Sequence, residues 1–363
     1  MWHRRAFLKA AGAGFAATLL PRQAEALEAS ELVFASAIQR TEGGYAAALV
    51  TEAGKLVSSI DLPDRGHDIT FSRTTGQAVV FARQPGTFAV VFDPSGKSAP
   101  QTLTTVEGRH FFGHGAFSPD GQLLYATEND FDNARGVIGL FDATDGYRRI
   151  DEFDTFGTGP HELLLTPDGS MLVIANGGIE THPDFGRAEL NLDTMDPSVC
   201  FIDAKTGDLI GQLRLASGLH QLSIRHMAFD AQQRVWFGCQ YRGGAEDMPQ
   251  LVGYATRNGD IRLVKMPPDT LGQLRNYVGS LAASADGGLI AVSSPEGNAV
   301  LTIDAATARV ASITVLDDGC GIAPNGAGFL ASSGQGVLIG VAGGAATERR
   351  LGFGFDNHLR RFL

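Results

Sequence analysis

The sequence predicts an all-β fold: a seven-bladed β-propeller whose ring is closed by a C-terminal inner strand with N-terminal outer strands. Three observations lead there. A two-strand unit with a tight turn recurs along the chain. Strand-like runs alternate with Gly, Asp, Asn and Pro turns from Leu32 onward. A surplus strand near the C-terminus complements three surplus strands near the N-terminus.

The unit is clearest in Phe112 to Glu128, FGHGAFSPDGQLLYATE, where Ser118-Pro119-Asp120-Gly121 separates two apolar runs. Pro pre-sets φ for the turn and Gly supplies a position with φ > 0. The unit returns as GHDITFSRTTGQAVVFA from Gly66, GPHELLLTPDGSMLVIAN from Gly159 and RHMAFDAQQRVWFGCQ from Arg225. Weaker copies are VGSLAASADGGLIAVSS from Val278 and GCGIAPNGAGFLASS from Gly319. A period of about 40–50 residues is what propeller blades of the WD40-like kind leave in sequence.

Six blades are expected over residues 66–105, 112–153, 159–214, 224–265, 278–313 and 319–352. The seventh would combine Leu32–Ile38, Tyr45–Val50 and Leu56–Ile60 with one strand from the C-terminal GFGFDNHLRRFL. Such a closure joins the two ends by backbone hydrogen bonds and removes open sheet edges. The third blade carries an insertion, Gly177 to Pro197, between its second and third strands. Long loops on rigid scaffolds are often functional.

At 363 residues the chain could hold two average domains, but stacked blades form one ring. The net charge of −11 argues against nucleic acid and anionic membrane surfaces, which need a basic face. Arg4-Arg5-Ala6-Phe7-Leu8-Lys9, the apolar Ala10 to Leu20 and the small residues of Ala24-Glu25-Ala26 read in order as a twin-arginine signal peptide. Residues 1–26 would be cleaved, leaving one propeller domain over 27–363. The mature protein is expected to be a periplasmic monomer without a membrane span. Three cysteines without close spacing make no disulfide framework; Cys200 and Cys239 read as buried hydrophobes.

The nine histidines carry the chemistry. His67, His114, His161 and His226 each begin the first strand of a blade, the first three at intervals of 47 residues. His358 would begin the closing strand, and Cys320 takes the same place in the sixth blade. First strands line the central channel, so five imidazoles and one thiol would converge. Imidazole is the commonest ligand for Zn, Cu, Fe and Ni, and a thiolate adds soft character. Iron or copper is therefore the expected ion, if the ring does more than hydrogen-bond neighbouring strands.

Register limits this reading. The offset from each His to the Phe or Leu at its strand's end alternates between four and three residues, and one residue of slip turns a strand over. All the rings can converge only where the strand is irregular.

Arg65, Arg109, Arg225 and His110 flank the same rim, and a guanidinium there could take an anionic ligand or pair with acids between blades. Glu128, Asp130 and Asp132 lack the spacing of a calcium loop and read as a solvated acidic turn. His182 in the insertion could cap the channel. There is no nucleophile elbow, phosphate loop, zincin motif, dinucleotide fingerprint or haem-attachment motif.

GPHELLLTPDG, NGGIETHPDFGRAELNLDTMDPS, LSIRHMAF and FDNHL together resemble a family of twin-arginine-exported seven-bladed propellers of unknown function. The resemblance covers essentially the whole mature chain. Its motifs match at His161, His182, Arg187, Arg225, His226, Asn357 and His358. It implies a link to periplasmic iron handling, with imelysin-type and di-haem oxidoreductase-like proteins as partners. Three functions stay open: a non-enzymatic protein of metal acquisition, a metal-dependent hydrolase or oxidoreductase, and an interaction scaffold with structural histidines.

Overall fold

The computed structural model describes residues 33–344 and 348–362, so the predicted signal segment lies outside the described residues. Seven antiparallel sheets, each four strands deep, surround one axis. The inner strands of the first six blades are Gly66–Phe71, Arg109–Phe117, Pro160–Leu165, Leu222–Phe229, Ser280–Ala283 and Gly319–Asn325, and the chain runs outward from each. In the seventh sheet Val33–Arg40, Tyr45–Thr51 and Leu56–Leu62 lie outside an inner ribbon from the other end of the chain. That ribbon is made of Phe353–Phe355 and Arg360–Arg361, both paired with Val33–Arg40. Closure is therefore as the sequence predicts. Among the described residues no helix is long and apolar enough to cross a membrane.

The S/T-x-D-G turns work by one hydrogen-bond pattern. Ser118 Oγ donates to Asp120 Oδ1 at 2.6 Å, the same oxygen accepts the Gln122 N–H, and Ser118 Oγ accepts the Leu123 N–H. Thr166 with Asp168, and Ser284 with Asp286, repeat it. The side chains take up backbone donors that the turn itself leaves over.

Large apolar side chains fill the wedges between blades. Phe81, Phe111 and Phe141 are fully buried, with centroids 5.8 Å apart for the first pair and 6.3 Å for the second. Trp236 is buried whole, and its Nε1–H donates to Asp230 Oδ2 at 2.8 Å, which satisfies its one polar atom.

The feature that positions the site is a local break in pairing in the inner strands; in the second and fourth blades it lies within the strand, which starts at Arg109 and Leu222, so His114 and His226 do not begin their strands as the sequence suggests. In the first blade pairing passes from Gly66↔Ala82 to Ile69↔Val80, so His67 and Asp68 face one residue of the neighbour. Shifts also occur between Phe111 and Gly115, Pro160 and Glu162, Ile224 and His226, and Gly319 and Ile322. In the closing ribbon, Asp356 to Leu359 lie between the two short strands. Ser280–Ala283 pairs without a shift, and it is the inner strand whose head carries neither His nor Cys. A bulge lets consecutive residues turn the same way, which accounts for the uneven offsets read from sequence.

Each inner strand starts on one face of the ring, and each second strand returns to that face. The Gly177 to Pro197 insertion joins Met171–Asn176 to Ser198–Asp203, so it overhangs the same mouth. Contacts with three other blades help to hold it there. Gln84 Nε2 donates to Thr181 Oγ1 at 2.7 Å, Asn129 Nδ2 to the Thr181 carbonyl at 3.2 Å, and Arg242 meets Glu189 at 2.6 Å. These partners belong to the first, second and fourth blades.

Replacing Phe111 with Ala should cost about 3–5 kcal/mol, because a fully buried ring between two blades leaves a cavity that rigid sheets cannot close. Chemical denaturation should show a lower midpoint; an unchanged midpoint would contradict the wedge assignment.

Candidate metal centre

The five predicted channel histidines meet on the axis. Ring centroids are 4.6 Å apart for His67 and His358, 4.7 Å for His114 and His358, 4.7 Å for His161 and His226, and 5.1 Å for His114 and His161. His114 Nε2 and His358 Nε2 are 3.1 Å apart. Three groups have ligand atoms all within 4.8 Å of one another: His67/His114/His358, His114/His161/His226 and Asp68/His114/Glu162. His114 belongs to all three.

Burial keeps these rings neutral. It lowers His67 to about 3, against the opposing pull of Asp356, and His226 to about 4, against Glu162. It also lowers His114, and takes His161 and His358 well below the ordinary imidazole value. A neutral imidazole is the form that donates a lone pair to a cation. His114, His161 and His226 each have a buried Nδ1 with no hydrogen-bond partner among the described residues.

Carboxylates stand behind the rings. Asp356 Oδ1 lies 3.1 Å from His67 Nδ1 and accepts a hydrogen bond from Arg83 at 3.1 Å, while its other oxygen accepts from Arg65 at 2.5 Å. Burial alone would raise this carboxyl, but His67 and the two arginines outweigh it and hold it low. With an ionised partner, Nδ1 carries the proton and Nε2 points its lone pair at the axis. This carboxylate–histidine arrangement is the usual support of metal-bound histidine. On the other side His226 Nδ1 is 3.5 Å from Glu162 Oε2. Arg360 grips Asp68 through two bonds of 2.8 and 2.7 Å and reaches Glu162 at 2.7 Å. Two carboxylates and one guanidinium leave this group with one negative charge.

Gly113 makes the packing possible. Its φ is +102°, and a Cβ there would meet the His67 ring at 2.5 Å.

Cys320 departs from the expectation that it joins the ring. Its Sγ lies 3.8 Å from Ser332 Oγ and 3.7 Å from the Phe355 carbonyl, within an apolar cluster. Burial pushes its thiol up to about 12, which keeps it protonated, and it belongs to none of the three groups. The shift in its strand turns it aside. Cys200 and Cys239 are buried free thiols, as read.

The flanking residues divide. Arg65 is taken up by Asp356. Arg109 pairs with Glu152 at 2.6 Å and lies near Glu128 and Asp130, a charge network of the second blade. The acidic turn is thus part of an ion-pair network: Asp130 meets Arg135, and Glu128 meets Arg149. His110 stacks on Phe112 and Phe131 and hydrogen-bonds within its blade. His182 packs on Phe131 at 4.9 Å, at the rim and outside the ring. Asn357 donates to Tyr277 Oη at 3.0 Å. Arg187 and Arg225 line a small cleft of about 60 Å³ with His161.

Sequence reasoning missed Asp68, Glu162, Arg83, Asp356 and Arg360. Alternation along a strand sends the neighbour of an inward residue outward. The signal available was adjacency: His67-Asp68, His161-Glu162 and Asp356 two residues before His358.

The family described as "Protein of unknown function (DUF1513)" matches over residues 60–362. A comparison with curated proteins gave no match. Among solved structures, hydrazine synthase from Kuenenia stuttgartiensis is similar at a TM-score of 0.62 and 14% identity, covering 84% of this chain and 95% of that one. At that identity the likeness concerns the fold.

The neutral histidines make stability fall with acid. An unfolded imidazole titrates near 6.5, whereas His67 and His226 titrate at about 3 and about 4 when folded. Between those values the unfolded chain binds protons that the folded chain does not, so stability present above pH 6.5 drains away as the pH falls. Each of these two should cost on the order of 2 kcal/mol by pH 5. Denaturation of metal-free protein at several pH values should show it, with a shallower slope for His67→Gln/His226→Gln. A flat profile from pH 7 to 5 would contradict neutral burial.

Proposed function

The chain belongs to the DUF1513 family, and we propose that it is a periplasmic metal-binding propeller that holds one transition-metal ion on its axis through His114 and the imidazoles around it. One observation carries this reading: His114 takes part in three sets of donors, with His358 Nε2 only 3.1 Å away. Donors at roughly 2.0–2.1 Å from a shared ion lie roughly 3–3.4 Å from each other, so the spacing is that of a ligand edge. A purely structural histidine network would close its hydrogen bonds, and here the Nδ1 atoms of His114 and His161 are left over, that of His226 having Glu162 beside it.

The donor set is nitrogen and oxygen. With Cys320 turned aside, the soft donor that would favour copper(I) is withdrawn. Imidazoles beside Asp68 and Glu162 suit iron(II), zinc or copper(II). The sequence resemblance supports iron, and with it a role in iron acquisition or handling after twin-arginine export. Imelysin-type and di-haem oxidoreductase-like proteins are then the expected partners.

A second reading rests on His161, which lines the cleft with Arg187 and Arg225. The cleft beside it leaves a side of the centre open, as in catalytic metal sites. An ion there would act as a Lewis acid on a small substrate.

Elemental analysis of protein isolated from periplasm should find about one ion per chain. His114→Ala, which breaks all three donor groups, should abolish retention. His67→Ala breaks only one, so it should weaken retention far less if the ion sits toward His161 or Asp68. His110→Ala, outside the ring, should leave content unchanged. Metal content unaffected by His114→Ala would end the reading.

A further inference from the structure

The cleft beside His161 is built around two guanidiniums that lack acidic partners. Arg225 lies in the shifted stretch of its inner strand, and its guanidinium reaches only Ser223 Oγ, at 3.4 Å. Arg187 comes from the insertion, just after the turn at Gly186, where φ is +63°. Among the described residues neither has a carboxylate within ion-pair distance. The neighbouring arginines differ: Arg65 and Arg83 share Asp356, and Arg242 has Glu189.

A guanidinium stays cationic at neutral pH even when partly buried. A partly buried charge without a counter-ion is costly, and an anion in the cleft would offset that cost. The cleft stands out on a chain whose net charge is −11.

We propose that this cleft binds a small monocarboxylate, held between Arg187 and Arg225 at the mouth of the channel. The apolar lining selects the class. Glu189 also borders the cleft but is taken up by Arg242, so Arg187 and Arg225 face it uncompensated, and the Phe112 and Ile179 beside them favour a carboxylate that carries a hydrocarbon tail over inorganic phosphate. Guanidinium forks fit carboxylate oxygens, and the Phe112 and Ile179 side of the cleft accepts a short hydrocarbon tail. The volume of about 60 Å³ admits a few waters or one small head group. His161 lines the same cleft, so the bound oxygen would lie next to the centre proposed above. The inference does not need the ion.

The test is a ¹H NMR titration of propionate onto the metal-free chain, with inorganic phosphate as competitor. Saturable binding is expected, weakened at least tenfold in both Arg187→Gln and Arg225→Gln. Arg257→Gln, an exposed guanidinium elsewhere, should bind as the unaltered chain does. Arg187 lies on the insertion, so its variant keeps the test decisive if Arg225→Gln misfolds. Absence of saturable propionate binding, or equal affinity in Arg187→Gln, would overturn the proposal. Phosphate displacing propionate at the lower concentration would overturn the carboxylate assignment. Metal content is read separately, so failure here and failure of the metal reading are distinguishable.

Discussion

A pleated strand turns only alternate side chains to one face, and the axis of this propeller is built by breaking that alternation. In these inner strands a bulge sets two neighbours toward the channel. His67 arrives with Asp68 and His161 with Glu162. Asp356 stands beside His67, and Glu162 beside His226. Without the bulges the acids would point into the wedges between blades, where Phe81 and Phe111 leave no room for charge.

The electrostatics follow from that geometry. Five imidazoles packed within van der Waals reach of one another cannot all take protons, and burial removes the water that would screen them. They are neutral bases. The acids are the opposite case: Asp356 and Glu162 stay ionised because arginines and histidines oppose the effect of burial. Arg360, Arg83 and Arg65 thus hold carboxylates, while Arg187 and Arg225 are left facing the mouth. Guanidiniums that are alike in sequence divide into supports and free cations according to which acids lie nearby.

Much of the architecture was legible because it is written locally. The S/T-x-D-G turns, the spacing of His67, His114 and His161, and the surplus strands at the two ends each correspond to a feature of the ring. The centre was legible only in part. Position within the repeat brought out the histidines, but it also brought out Cys320, whose strand has the same kind of shift and a different outcome. The acids were hidden because a two-residue period assigns them to the wrong face. Arg83 and Arg360 were hidden because their partners are hundreds of residues away, at Asp356 and Asp68.

The closing ribbon has a further consequence. Asp356, His358 and Arg360 come from the segment that pairs with Val33–Arg40. Four of the five rings are carried by other blades, but the nitrogen facing His114, the acid behind His67 and the cation between Asp68 and Glu162 all come from that segment. An ion gripped by His114 and His358 would bolt the last seam of the cylinder from within. Cargo and latch would then be one object: loading would slow the unzipping of the ring, and a chain stopped short of residue 353 would have neither seam nor bolt.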